Sequence, residues 1–125
     1  MRARQGGSAK SYRLKRVYAP AAPDDGLRVL VDRLWPRGLT KAEAGVDLWL
    51  RDIAPSHALR RQAHGDPDGW EAFTAAYAEE LKGEAAQSAL GALAQADAAV
   101  VTLLFAAKDE ARNNAVALLD WLRVR

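Results

Sequence analysis

Val100 to Phe105 is a run of apolar and β-branched residues without a charge, the pattern of a strand covered on both faces. Leu27 to Val31 is a second strand of central character, and Leu14 to Tyr18 alternates apolar and basic residues as an edge or half-buried strand does. Pro20, Pro23 and the Asp25-Gly26 pair separate these two. Thr40 with Glu43 three residues later predicts a capping box and a short helix that Gly45 stops. Val46 to Ile53 alternates well enough to read as extended, although a helical turn also fits, and Pro55 ends either version.

Ser56 predicts the cap of a short helix reaching about Ala63, and Asp66-Pro67 predicts the start of the next. Trp70, Phe73, Ala76, Tyr77 and Leu81 then hold one apolar face as far as Gly83. A further helix is expected over about Glu84 to Ala96, with Leu90 and Leu93 inward. A last one is expected after Asp109, with Ala115, Leu118, Leu119 and Leu122 as its buried stripe. Strands alternating with helices predict an α/β fold, a small mostly parallel sheet with helices packed on it, in one domain over residues 14–125.

Two strands stop abruptly at charged residues, and in a parallel sheet ligands gather at the carboxyl ends of strands. The first break is Asp32-Arg33-Leu34-Trp35-Pro36-Arg37-Gly38, and the second is Ala106-Ala107-Lys108-Asp109. The guanidinium forks of Arg33 and Arg37 suit phosphate or carboxylate, and Gly38 keeps the backbone beside Arg37 open. Trp35 either stacks on a ligand ring or belongs to the core. Asp32 either fixes the arginines or acts as a base. Lys108 would bind an anion beside the free amides of a helix start, or serve as a nucleophile. Asp32, Lys108 and Asp109 are thus the candidate reactive groups, although Asp109 reads more readily as a helix cap. Asn113, four residues on, would share its helical face and orient it, whereas Asn114 falls off that face.

Composition narrows the chemistry. The 125 residues contain no cysteine, which excludes disulfides, thiol catalysis and cysteine-held metals. His57 and His64 have no acidic neighbour at ligand spacing, so no metal is expected. With no Walker loop, dinucleotide turn or serine elbow, no cofactor is expected either. The start of the chain has no apolar stretch and no segment is long enough to span a bilayer, so a cytoplasmic address without membrane contact is expected. The net charge of +2 hides an asymmetry. Arg2, Arg4, Lys10, Arg13, Lys15 and Arg16 precede the first acid, and the rest of the chain is acidic on balance. Residues 1–13 read as a basic, flexible tail, with a weak electrostatic arm as the alternative.

The residues Val17-Tyr18, Asp25-Gly26, Val29 to Gly38, Asp47 to Leu50, Ala54-Pro55-Ser56, Asp66-Pro67, Trp70 and Thr102 to Asn113 together resemble the DUF 488 family, a domain of unknown function, in its YeaO-like branch. The Asp-Arg-Leu-Trp-Pro-Arg-Gly core is the most specific part. The resemblance implies a small cytoplasmic bacterial α/β domain without an established activity. Three positions depart from the family pattern. Phe105 replaces a tyrosine, Arg112 replaces a histidine, and His64-Gly65-Asp66-Pro67 reorders Gly-His-Asp-Pro. Losing a hydroxyl and an imidazole while gaining a guanidinium favours anion binding over acid–base work.

Two functions follow as expectations. The first is a binding or enzymatic pocket for a small phosphate- or carboxylate-bearing ligand, with Arg33, Arg37, Lys108 and Arg112 supplying charge, Trp35 and Gly38 lining it, Asp32 orienting the arginines or acting as a base, and Asp109 and Asn113 at the rim. The second is a nucleic-acid or protein-binding module in which the basic arm carries affinity and Trp35 stacks. In a third, purely structural case the ionic residues form a buried network.

Overall fold

A computed structural model describes residues 10–64 and 68–124. Strands β1 (Ser11–Arg16), β2 (Leu27–Leu30), β3 (Leu48–Trp49) and β4 (Val100–Phe105) form one sheet in the order β1-β4-β2-β3, with every pairing parallel. Helix α1 (Lys41–Ala44) joins β2 to β3. Helices α2 (His57–His64), α3 (Trp70–Glu80) and α4 (Glu84–Gln95) connect β3 to β4, and α5 (Asn114–Arg123) follows. This is the expected α/β class. No helix among the described residues is long and apolar enough to cross a membrane.

The period of two along each strand sorts the side chains onto two different faces. Val29, Val31, Val101, Leu103 and Phe105 meet Phe73, Tyr77, Leu81, Leu93 and Leu118 in the larger core. Tyr12 and Leu14 pack against it from β1. The opposite face holds a smaller apolar cluster of Val17, Leu30, Ala44 and Leu104, bordered by Trp35 and Trp49.

Towards the amino ends of the strands the same second face becomes ionic. The Asp25 carboxylate accepts from Arg28 at 2.6 Å, from Lys15 at 2.9 Å and from the Ala22 amide at 3.0 Å. Arg28 spends its remaining donors on the carbonyls of Ala44 and Gly45, and Thr102 donates to the Asp25 carbonyl. Both Asp25 and Arg28 are buried, so each depends on the other to offset its lost hydration. Burial alone would raise the Asp25 pKa, but the bonds from Lys15, Ala22 and Arg28 outweigh it and hold the carboxyl at about 2.

The predicted capping box is present, with Glu43 N–H donating to Thr40 Oγ1 and Thr40 N–H to Glu43 Oε1. Gly45 ends α1 in the left-handed conformation at φ 58°. Ser56 accepts from the Leu59 amide at the start of α2, as expected.

Other boundaries differ from the sequence reading. The first strand starts at Ser11, not Leu14, because it pairs residue for residue with β4 from Ser11 opposite Val100. Residues 11–13 therefore belong to the sheet and not to the tail, whose residues 1–9 lie outside the described part. The extended segment at Val46–Ile53 shrinks to two paired residues followed by a single 3-10 turn at Arg51–Ile53. Asp66-Pro67 lies outside the described residues, and α3 begins at Trp70 without a side-chain cap. Asp109 is not the cap of the last helix. That helix starts five residues later, capped by Asn113 Oδ1, which accepts from the Val116 amide at 2.9 Å.

Candidate functional site

Because all four strands are parallel, the segments after each of them emerge at one edge of the sheet. Val17-Tyr18, Asp32 to Gly38, Arg51 to Pro55 and Ala106 to Arg112 meet there. The two charged breaks found in the sequence therefore do share an edge, and hydrogen bonds tie them together.

Asp32 is the centre of that tie. Its Oδ2 accepts from the Ala106 amide at 2.9 Å, and its Oδ1 accepts from Asn114 Nδ2 at 3.0 Å. The same Asn114 amide reaches the Val31 carbonyl at 3.0 Å, and Trp49 Nε1 donates to the Asp32 carbonyl at 2.7 Å. The end of β2 is thereby joined to the end of β4, the start of α5 and the end of β3. Burial pushes the Asp32 carboxyl above its ordinary pKa, although the bonds from Asn114 and Ala106 and the charge of Arg60 pull the other way. The carboxylate faces hydrogen-bond donors, yet it is poorly hydrated.

Asn114 is the residue that sequence reasoning set aside. With the helix placed from Asp109, Asn113 occupied the useful face. With the helix starting at Asn114, Asn113 turns back as the cap and donates its Nδ2 to the Asp109 carbonyl. Asn113 thus steadies the main chain of the loop and does not orient the Asp109 carboxylate. That carboxylate accepts from the Ala111 and Arg112 amides of its own turn, which lowers its pKa.

The arginines divide into two kinds. Arg33 is spent on the main chain of the next loop, donating to Ala54 O at 2.7 Å and Pro55 O at 3.3 Å, with Asp52 at 3.9 Å. Arg37 is exposed, and none of the ion pairs among the described residues involves it. Lys108 and Arg112 are exposed as well, with Arg112 close enough for its charge to act on Asp109. Gly38 takes φ 82°, and the space where a Cβ would stand is empty.

Trp35 belongs to the packing. Its ring meets Trp49 edge-on at 5.4 Å between centroids, and its Nε1 donates to the Leu39 carbonyl. No group of three or more His, Cys, Asp or Glu among the described residues is placed to hold a metal.

A further bridge at this edge starts from β1. Arg16 donates to Ala106 O and Ala107 O, each at 2.9 Å, and its guanidinium lies 5.1 Å from the centre of the Tyr18 ring. The Tyr18 hydroxyl donates to the Arg37 carbonyl at 2.8 Å. The main chain of Arg37 and the residue preceding Lys108 are both held by the end of β1.

These features define a small, doubly covered parallel α/β domain whose strand ends are clasped around a half-buried aspartate, with exposed cations in the same loops. Residues 11–125 match the family described as the inactive DUF488-N3 subclade, and the chain belongs to it. It is 43% identical over 110 residues to the uncharacterized protein YeaO of Escherichia coli K12, covering 87% of this chain and 94% of the relative. It is 42% identical over 113 residues to the uncharacterized protein Rv3073c of Mycobacterium tuberculosis H37Rv, covering 90% and 94% of the two chains. No solved structure matches it.

Proposed function

We propose that this protein is a non-enzymatic binding domain for a small phosphate- or carboxylate-bearing ligand, with Arg37, Lys108 and Arg112 supplying the charge. The observation that carries the reading is the division of labour at the strand ends. Asp32 has a structural donor on each carboxylate oxygen and Arg33 is committed to carbonyls, while Arg37 and Lys108 stand exposed in two strand-end loops and take part in no ion pair among the described residues. The bonds from the Ala106 amide and Asn114 fix the orientation of the Asp32 carboxylate and tie it to the framework of the sheet edge. The family's description as inactive agrees with a locked carboxylate. A cytoplasmic address fits this reading.

The nucleic-acid alternative draws less support. Lys10, Arg13, Lys15 and Arg16 all bond to other parts of the domain, on the carbonyls of Ala96 and Ala98, on Asp24 at the surface, on Asp25 and on the Ala106–Ala107 carbonyls.

The test is a thermal-shift titration with inorganic phosphate and small carboxylates on the wild type, Arg37→Ala and Lys108→Ala. A ligand at about 100 times its Kd stabilises the fold by about 2.7 kcal/mol. A shift present in the wild type and reduced in both variants supports the site. Equal shifts in all three, or none with any anion, refute it.

A further inference from the structure

We infer that the ligand carries a planar ring beside its anionic group and that Tyr18 is the platform on which the ring lies. This inference rests on the anion-binding reading above and sharpens it. Large apolar side chains left exposed among the described residues are Tyr18, Leu34 and Val124, at 40%, 58% and 75%. Tyr18 lies in the segment after β1, Leu34 in the segment after β2 that carries Arg37, and Val124 follows the last helix.

An exposed tyrosine with a freely turning ring would carry no message, since single apolar residues are common on surfaces. Tyr18 is fastened at its far end and over its ring. Its hydroxyl is fixed on the Arg37 carbonyl, and the Arg16 guanidinium sits over the ring, itself anchored by two carbonyls. The orientation of the ring is thus set before any ligand arrives, which lowers the ordering cost of stacking.

The same bonds tie this ring to the main chain of Arg37 and to the residue before Lys108, so the cations and the platform form one unit. Arg16 also adds a positive charge next to the ring, which favours a ligand whose ring bears an anion. Trp35, the residue the sequence offered for stacking, is occupied by Trp49 and Leu39 and leaves the role to Tyr18.

The experiment is calorimetric titration of the full chain with phenyl phosphate and methyl phosphate. A second pair, AMP and ribose phosphate, distinguishes a nucleobase from a simple phenyl ring. The wild type should prefer the ring-bearing member of at least one pair by about tenfold. Tyr18→Phe, which keeps the ring but loses its bond to the Arg37 carbonyl, should weaken the preference, and Tyr18→Leu should bring the ratio close to one. Thermal unfolding of each variant checks that it is folded. Equal affinities within both pairs for the wild type, or a ratio that survives Tyr18→Leu, overturn the inference and leave the anion site standing. Binding of none of the four compounds overturns the inference, and the titration with phosphate and carboxylates described above decides the anion site separately.

Discussion

Asn114 and Asp32, 82 positions apart in the chain, meet through a 3.0 Å hydrogen bond that closes the strand-end edge of the sheet. The contact joins the first residue of α5 to the residue just past β2. Both partners are half-buried, which leaves water less able to replace either of them.

Asn114→Ala removes the donor shared by Asp32 Oδ1 and the Val31 carbonyl. The expected loss is about 1–3 kcal/mol, read from denaturant unfolding at neutral pH. Asn114→Asp should cost more than the alanine, because it sets a second carboxylate against the poorly hydrated Asp32. Wild-type midpoints for both variants would show that the clasp contributes nothing.

Acid should act on Asp25 and Asp32 in opposite directions. The Asp25 pKa is lower folded than unfolded, so its contribution is present above the ordinary carboxylate pKa of about 4. It is lost as pH falls through about 2. The Asp32 pKa is raised in the fold, so its protonation favours the folded state. That contribution is complete below the unfolded value and lost as pH rises through the folded one. Asp25→Asn should therefore destabilise by about 2 kcal/mol or more at pH ~7, with the gap to wild type narrowing in acid. A gap that stays constant down to pH ~2 would contradict the assignment.

Gly26→Ala is expected to abolish folding or cost several kcal/mol. The backbone there has φ 65°, and an added Cβ would run into the Val100 carbonyl, a main-chain atom of the neighbouring strand. Circular dichroism of the purified variant checks this, and a native-like melt would show that the sheet yields at this point.

Arg16→Met keeps much of the aliphatic stem and deletes the two bonds to Ala106 and Ala107. A loss of about 1 kcal/mol is expected, together with faster hydrogen exchange in residues 106–113. Unchanged exchange there would mean that the loop is held by Asp32 alone.

The sequence revealed most where a local pattern coincided with a local cause. Val100 to Phe105 needed only its unbroken apolar run, and Thr40 with Glu43 only a three-residue spacing. Val46 to Ile53 misled because alternation continues past the point where pairing stops: Leu50 N–H still reaches Leu30 O, after which the chain coils into the turn whose exit carbonyls Arg33 binds. Asp32 and Arg37 were visible as unusual residues at a strand end, but their separation into a half-buried structural tie and an exposed cation was not. That separation depends on Asn114 and Ala106, which arrive from the far end of the chain. A shift of four residues in one helix cap, from Asp109 to Asn113, was enough to exchange the parts assigned to Asn113 and Asn114.

The position of β4 between β1 and β2 has a consequence for biosynthesis. Ser11 pairs with Val100 and Leu27 with Val101, so the first two strands have no direct neighbour in each other and wait for the same late segment. A nascent chain stopped short of Phe105 exposes Val29, Leu30 and Val31 without the strand that covers them. Chains of this topology close slowly and are vulnerable to aggregation during synthesis. For this protein the stretch from Val100 to Phe105 is the step that converts an adhesive polypeptide into a finished domain.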